Sequence, residues 1–369
     1  MHVLVTADTV GGVWTYTREL VTGLSQRGIR VTLVSFGEIP SAAQCEWLDG
    51  LRDVEYRATA FRLEWMQDFR EDMRVSSAFL EQLIAETRPD LLHLSQYCYG
   101  ALKSDVPKIV VGHSDVLSWW STIHGEAPPE NDWIRGYRQV VTAGLEGANA
   151  VVTPSKWMLD ALREQYGQAQ QGVVIYNGRN PSLFNPHMSK EDLVVSVGRA
   201  WDKAKNVALL SQVTHTTPVW IVGQERHPDP AFRDQVMEPD RARGVRFCGP
   251  QTEAQLRQLL SRASMYAATS QYEPFGLAPV EAALSRCAVI ANDIPVFREL
   301  WGETACYFRH NDAEDLGRTI HLLGHDRDLR ATYANLAYRR AQQRFTSERM
   351  MNDYLSLYHT LVPARMVAA

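Results

Sequence analysis

Apolar positions along the first half of the chain fall into short runs separated by longer stretches with helical spacing. His2 to Ala7, Arg30 to Ser35, Leu91 to Leu94, Lys108 to Gly112 and Ala150 to Thr153 are short and β-rich, whereas Tyr16 to Arg27, Ser76 to Thr87 and Trp133 to Glu146 read as helices. Strand and helix in turn predict βαβ units and a parallel sheet. The pattern restarts after Gly172, with strands expected at Val173 to Tyr176, Leu193 to Val197, Val219 to Val222, Val245 to Cys248, Met265 to Ala268 and Ala288 to Ala291. Between the two sets, Asn177-Gly178, Pro181 and Pro186 interrupt regular structure. The expected organisation is therefore α/β, with two doubly wound Rossmann-like domains at 1–180 and 181–346. An amphipathic helix from Ser347 to Leu361 follows, with Met350, Met351, Tyr354, Leu357 and Tyr358 on one face. Ligands of open parallel sheets bind beyond the carboxyl ends of the strands. Two such halves facing each other would make one cleft.

Composition narrows the function. A chain of 369 residues is too long for one ordinary core and suits two. Its hydrophobic content of 45% and charged content of 22% are those of a folded, soluble protein. A net charge of −5 argues against nucleic acid as a partner, because no excess of cations is left to neutralise phosphates. Cys45, Cys98, Cys248, Cys287 and Cys306 are scattered and form no C-x-x-C pair, as expected of reduced thiols in a cytoplasmic protein. The first seven residues lack the basic and apolar regions of an export signal, and no stretch nears the roughly 20 apolar residues of a membrane span. Membrane contact is expected to be peripheral at most.

Four strand-end segments carry candidate chemistry. In Ser270-Gln271-Tyr272-Glu273-Pro274-Phe275-Gly276-Leu277-Ala278-Pro279-Val280-Glu281, two carboxylates flank a Phe-Gly-Leu turn that opens a small-residue helix. Backbone N–H groups at such a turn can face a diphosphate, and each carboxylate can accept from sugar hydroxyls. The same spacing also suits a buried loop whose Glu residues cap or pair. In Gly198-Arg199-Ala200-Trp201-Asp202-Lys203-Ala204-Lys205-Asn206, two cations, the Lys at an expected helix start, converge from a turn and can neutralise a diphosphate leaving group, or simply be solvated. Gly11 and Gly12 follow the first strand in a turn that lets a phosphate or sugar approach the backbone, without the G-x-G-x-x-G of a dinucleotide site. His113 ends another strand and leads into an aromatic loop holding Trp119, Trp120 and His124, whose rings either stack on a sugar or belong to the core.

The two Glu residues at this spacing, together with Val174-Ile175-Tyr176-Asn177-Gly178, Gly198-Arg199 with Lys205, and Phe247-Cys248-Gly249, resemble in kind and order the signature of retaining GT4-like glycosyltransferases of the GT-B fold. The resemblance covers nearly the whole chain and is strongest from Val173 to Glu299. It departs at Asn206, where the family commonly has Gly, and at Arg286, where Gly usually follows the helix. It implies a hexosyltransferase acting on a nucleoside diphosphate sugar, UDP- ahead of GDP-, with a glycan, lipid-linked or small-molecule hydroxyl acceptor. Glu281 would bind ribose, Glu273 would lie near the donor sugar, and Phe275, Gly276 and Leu277 would present backbone groups. Arg199 and Lys205 would stabilise the diphosphate, and His113 would stand near the donor sugar. Trp119, Trp120 and His124 would face the acceptor, while the terminal helix 347–369 would return to the first domain. No cofactor and no metal are expected; the one Asp-x-Asp, Asp326-Arg327-Asp328, reads as a helix cap. The alternative is a non-catalytic nucleotide-sugar sensor or partner subunit on the same fold.

Overall fold

The computed structural model describes residues 1–9, 11–167, 171–225 and 243–362, so Val10 of the glycine turn lies outside the described residues. The chain forms two compact units, one of Met1–Gly178 joined by the segment from Ser347, the other of Arg179–Thr346.

The first unit is a seven-stranded parallel sheet built from β1 (His2–Asp8), β2 (Arg30–Phe36), β3 (Val54–Ala58), β4 (Leu91–Leu94), β5 (Lys108–Val111), β6 (Ala150–Thr153) and β7 (Gly172–Val174). Its strand order is β3-β2-β1-β4-β5-β6-β7. Side chains alternate across a strand, so Leu4 packs into one core with Leu92, Val110 and Val151, while Val3 and Val5 pack into another with Val31, Ile109 and Val152. Both faces are therefore covered, which explains why β4 and β6 are buried along their whole length. The helices are α1 (Gly12–Gln26), the single turn α2 (Ala42–Cys45), α3 (Arg70–Thr87), α4 (Val116–His124), α5 (Asp132–Gly147) and α6 (Lys156–Tyr166).

The second unit carries β8 (Glu191–Val197), β9 (Val219–Val222), β10 (Val245–Phe247), β11 (Ala263–Ala268), β12 (Ala288–Asn292) and β13 (Cys306–Phe308). They pair in parallel in the order β10-β9-β8-β11-β12-β13. Around them stand α7 (Glu253–Arg262), α8 (Leu277–Leu284), α9 (Pro295–Trp301), α10 (Ala313–His325) and α11 (Arg327–Arg344). Val194, Ile221, Met265 and Ile290 meet Leu316, Ile320 and Leu323 of α10 in the core.

The last helix, α12 (Ser347–Leu361), belongs to the first unit. Met350, Met351, Tyr354, Leu357 and Tyr358 are its buried face. A buried polar knot joins it to the sheet: Tyr16 donates to Tyr354 Oη at 2.7 Å, and His93 lies 2.9 Å from Tyr16 Oη and 2.7 Å from Tyr358 Oη. With the Tyr16 proton committed to Tyr354, the consistent arrangement is a neutral His93 that donates from Nε2 and accepts from Tyr358 at Nδ1.

Three expectations are corrected. The aromatic loop after His113 is the helix α4, because the Asp115 carboxylate accepts from Ser118 N at 2.7 Å and caps it. Lys205 precedes a 3₁₀ segment, Val207–Gln212, rather than an α-helix. β3 and β13 add edge strands that the apolar pattern did not mark. No helix among the described residues is long and apolar enough to cross a membrane.

Candidate active site

In the second unit the ends of β8 and β11 are tied together by backbone and hydroxyl contacts. Gln271 N donates to Ala204 O at 2.8 Å, and Thr269 Oγ1 donates to Lys205 O at 2.9 Å. That register brings Lys205 Nζ to 2.6 Å from Glu273 Oε2, an oxygen that also accepts from Ser270 Oγ at 3.1 Å. Lys205, Ser270, Glu273, Gly276 and Leu277 line one small cavity of about 40 Å³. At its edge Gly276 stands at the cap position just before α8, with a φ of +88° that favours glycine and no side chain to cap the helix. The first N–H groups of α8 are thus unmatched within the helix and carry the positive end of its dipole. Phe275 is buried against the Phe345 ring, centroids 5.4 Å apart, so only its backbone can serve a ligand.

Arg199 stands apart from that cavity lining. Its guanidinium bonds Asp202 Oδ2 at 2.6 Å and lies 4.7 Å from the Trp201 ring centroid. Glu281 also lies outside the lining; its Oε1 is 2.8 Å from Nε of Arg179, a fully buried residue that also donates to Glu253 at 2.7 Å. Arg286 takes φ +62°, the turn that the resembled family builds with glycine, and its Cζ sits 4.8 Å from the Tyr338 ring centroid.

Sequence reasoning missed an amide network that holds these loops. Asn311 Oδ1 accepts from Asn292 at 2.9 Å and Asn206 at 3.3 Å, while its Nδ2 donates to Gln271 Oε1 at 2.9 Å. Four strand ends, those of β8, β11, β12 and β13, each contribute one amide. The available signal was weak: three Asn and a Gln spread over a hundred residues, each shortly after a strand.

In the first unit, Gly11 caps α1 with φ +69° and no side-chain bond, leaving backbone N–H groups at that turn. His113 leans edge-on against Tyr16, centroids 4.5 Å apart, and its Nε2 lies 3.3 Å from Ser95 Oγ. Burial pushes its pKa down to about 3, so at neutral pH it offers an uncharged donor and acceptor. Trp119, Trp120 and His124 form one aromatic cluster on α4, with Trp120 and His124 centroids 4.3 Å apart. Nearby in sequence to none of these, Glu64 is buried and accepts from Tyr97 N at 2.8 Å. Its burial, with a smaller contribution from the Asp8 charge, pushes its pKa up to about 7. A single acidic residue between aromatic positions gave no cue to that environment.

Asp326 caps α11 through Leu329 N at 2.9 Å, and among the described residues no three His, Cys, Asp or Glu side chains gather as metal ligands would.

Residues 10–183 match the sequence family Glycosyltransferase Family 4, and residues 183–340 match Glycosyl transferases group 1. Among curated relatives, the lipopolysaccharide core biosynthesis mannosyltransferase LpcC of Rhizobium leguminosarum is 28% identical over 214 residues, 52% of this chain and 60% of its own length. The glycogen synthase of Mycobacterium tuberculosis is 25% identical over 92% of this chain and 87% of its own. The chain thus spans less than two thirds of the first of these and most of the second. Among solved structures, sucrose-phosphate synthase from Thermosynechococcus elongatus superposes with a TM-score of 0.78 at 20% identity, covering 98% of this chain and 99% of that one. Anabaena HepE in complex with UDP and glucose gives 0.76 at 18% identity over 98% and 100%. With two parallel-sheet units and both halves matched in chain order, the protein belongs to the GT4-like glycosyltransferases of the GT-B fold.

Proposed function

We propose that this chain transfers a hexose from a nucleoside diphosphate sugar, UDP- ahead of GDP-, to a hydroxyl acceptor with retention at the anomeric carbon and without a metal. The observation that carries the reading is the Lys205–Glu273 pair at 2.6 Å beside the uncapped start of α8. On donor binding Lys205 exchanges its carboxylate partner for a diphosphate oxygen, joined by Arg199, and Glu273 is released toward the donor sugar. Positive charge and oriented N–H groups then meet the negative charge that develops on the leaving diphosphate. The bond from the anomeric carbon to the phosphate oxygen breaks with its electron pair going to the phosphate. The acceptor oxygen bonds the same face of that carbon, and its proton passes to the departing phosphate. Glu281 takes the ribose hydroxyls. Neutral His113 and the Trp119–Trp120–His124 cluster serve the sugar and acceptor side, where the acceptor is a glycan, a lipid-linked sugar or a small molecule. The scattered free cysteines support a cytoplasmic site of action, with membrane contact at most peripheral. The UDP complex of the HepE neighbour supports UDP as the carrier.

The test is release of free nucleoside diphosphate from UDP-glucose, UDP-galactose, UDP-N-acetylglucosamine and GDP-mannose, with methyl glycosides as acceptors and with EDTA present. Turnover of one donor, unaffected by EDTA and giving an axial or equatorial product that matches the donor, is expected. Binding of a donor with no turnover would identify a sensor instead, and loss of turnover on chelation restored by magnesium would overturn the metal-free mechanism.

A further inference from the structure

We propose that Arg179 is the positioning residue for ribose recognition in this chain, holding the Glu281 carboxylate in the orientation that accepts the nucleotide's 2′-hydroxyl; this rests on the reading that Glu281 takes the ribose. Arg179 is 0% exposed and has no freedom to wander. Its backbone N donates to Phe345 O at 2.9 Å, it forms an isolated β-bridge with Thr346, and its guanidinium lies 5.5 Å from the Phe184 ring centroid. From that fixed base it reaches two carboxylates, Glu281 on α8 through Nε at 2.8 Å and Glu253 at the start of α7 through Nη2 at 2.7 Å.

The charges of the cluster decide which contact matters. Glu253 has a second cation, Arg257 at 3.6 Å, and sits in the first turn of α7, where the helix dipole favours a carboxylate. Glu281 is in the middle of α8, buried, with a side chain only 10% exposed, and it draws its cation from Arg179. A planar guanidinium can serve two carboxylates at once and fix the rotamer of each, which an ammonium on a flexible stem cannot. Glu281 is therefore presented to a ligand in one orientation rather than several, and the ordering cost is met before the nucleotide arrives. Asn177-Gly178 was legible as a family motif, while the Arg that follows reads as an ordinary polar turn residue.

The experiment is calorimetric binding of UDP and GDP, each beside its 2′-deoxy form, to the native chain and to Arg179→Lys, Glu253→Gln and Glu281→Gln. The native chain is expected to prefer the ribonucleotide at least tenfold. Arg179→Lys and Glu281→Gln should bring the ratio near one, because the hydroxyl loses its aligned acceptor, while Glu253→Gln should hold the native ratio within about twofold. A native chain that binds without preferring the ribonucleotide would refute the ribose role of Glu281 itself, and this inference with it. A folded Arg179→Lys that keeps the preference would leave the Glu281 reading standing and overturn the role of Arg179. Should Arg179→Lys fail to fold by circular dichroism, Glu253→Gln decides: a preference lost there shows that the whole ion cluster, not the Arg179–Glu281 contact, sets it, and overturns the proposal.

Discussion

Lys205 and Glu273 come from different loops, 68 positions apart, and meet because Gln271 and Thr269 bind the backbone at Ala204 and Lys205. Each side chain is mostly shielded, 32% and 12% exposed, so their pairing is stronger than that of a surface ion pair. Lys205→Ala is expected to weaken UDP or GDP binding by about 1.5 to 3 kcal/mol, the cost of one charge-assisted contact, and to lower kcat as well. Glu273→Gln should leave nucleotide affinity within about twofold and reduce transfer by roughly ten- to a hundredfold, since it keeps the shape and removes the charge beside the sugar. Calorimetry with the free diphosphate and steady-state kinetics with the donor separate the two effects; a Glu273→Gln variant with native kcat would end its assignment to the sugar. Both residues were legible in the sequence because each lies in the loop that follows an apolar strand, in a motif of defined spacing. Arg179, Asn311 and Glu64 were not, since what distinguishes them is the company they keep after folding: two carboxylates, three amides, a buried pocket.

At the scale of elements, the strands buried on both faces were easy to read and the edges were not. β4 and β6 are short, wholly buried runs that are apolar except for His93 and Thr153, whereas β3 reads Val-Glu-Tyr-Arg-Ala and is half exposed, and β13 is three residues long. α4 was missed as a helix because its aromatic residues hid the periodicity, although Asp115 was its cap in plain view. That carboxylate does more than cap. It accepts from Ser118 N, from Tyr137 Oη at 3.1 Å and from Tyr166 Oη, all in a buried environment. Asp115→Ala removes the cap and strands two phenol hydroxyls, so it should cost about 2 to 4 kcal/mol in urea unfolding. The same variant should raise the acceptor KM through the displaced Trp119–Trp120–His124 cluster while UDP affinity stays native. Native stability in Asp115→Ala would show that α4 is held by its apolar face alone.

For the whole molecule, the repeated strand pattern announced two units but misplaced the restart: the strand after Gly172 pairs with β6 and ends the first sheet, and the second sheet starts with β8 at Glu191. The amphipathic spacing after Ser347 announced a final helix, while the polar side of that helix's seat was invisible. His93 is the one polar residue of Leu91-Leu92-His93-Leu94, and its leucine neighbours give no cue to a partner. In the fold it is the junction between β4, α1 and α12, bonded to Tyr16 and Tyr358. Burial, with a smaller contribution from the charge of His113, pushes its pKa down to about 3 from an ordinary value of about 6.5. The sign follows from which state binds the proton. Between about pH 6.5 and 3 the unfolded chain protonates this histidine and the native chain does not, so stability is full above that window and falls as the pH drops through it. One such group contributes a slope of about 1.4 kcal/mol per pH unit inside the window, and His113 acts in the same direction. His93→Gln should therefore be less stable than the native chain at pH 7.5, from the loss of the Tyr16 and Tyr358 bonds, yet lose stability less steeply between pH 6 and 4. Urea unfolding at intervals across pH 4 to 8 measures both. Parallel stability curves for the two proteins would mean that His93 takes up its proton without leaving its tyrosines, and that α12 is not held by a neutral imidazole.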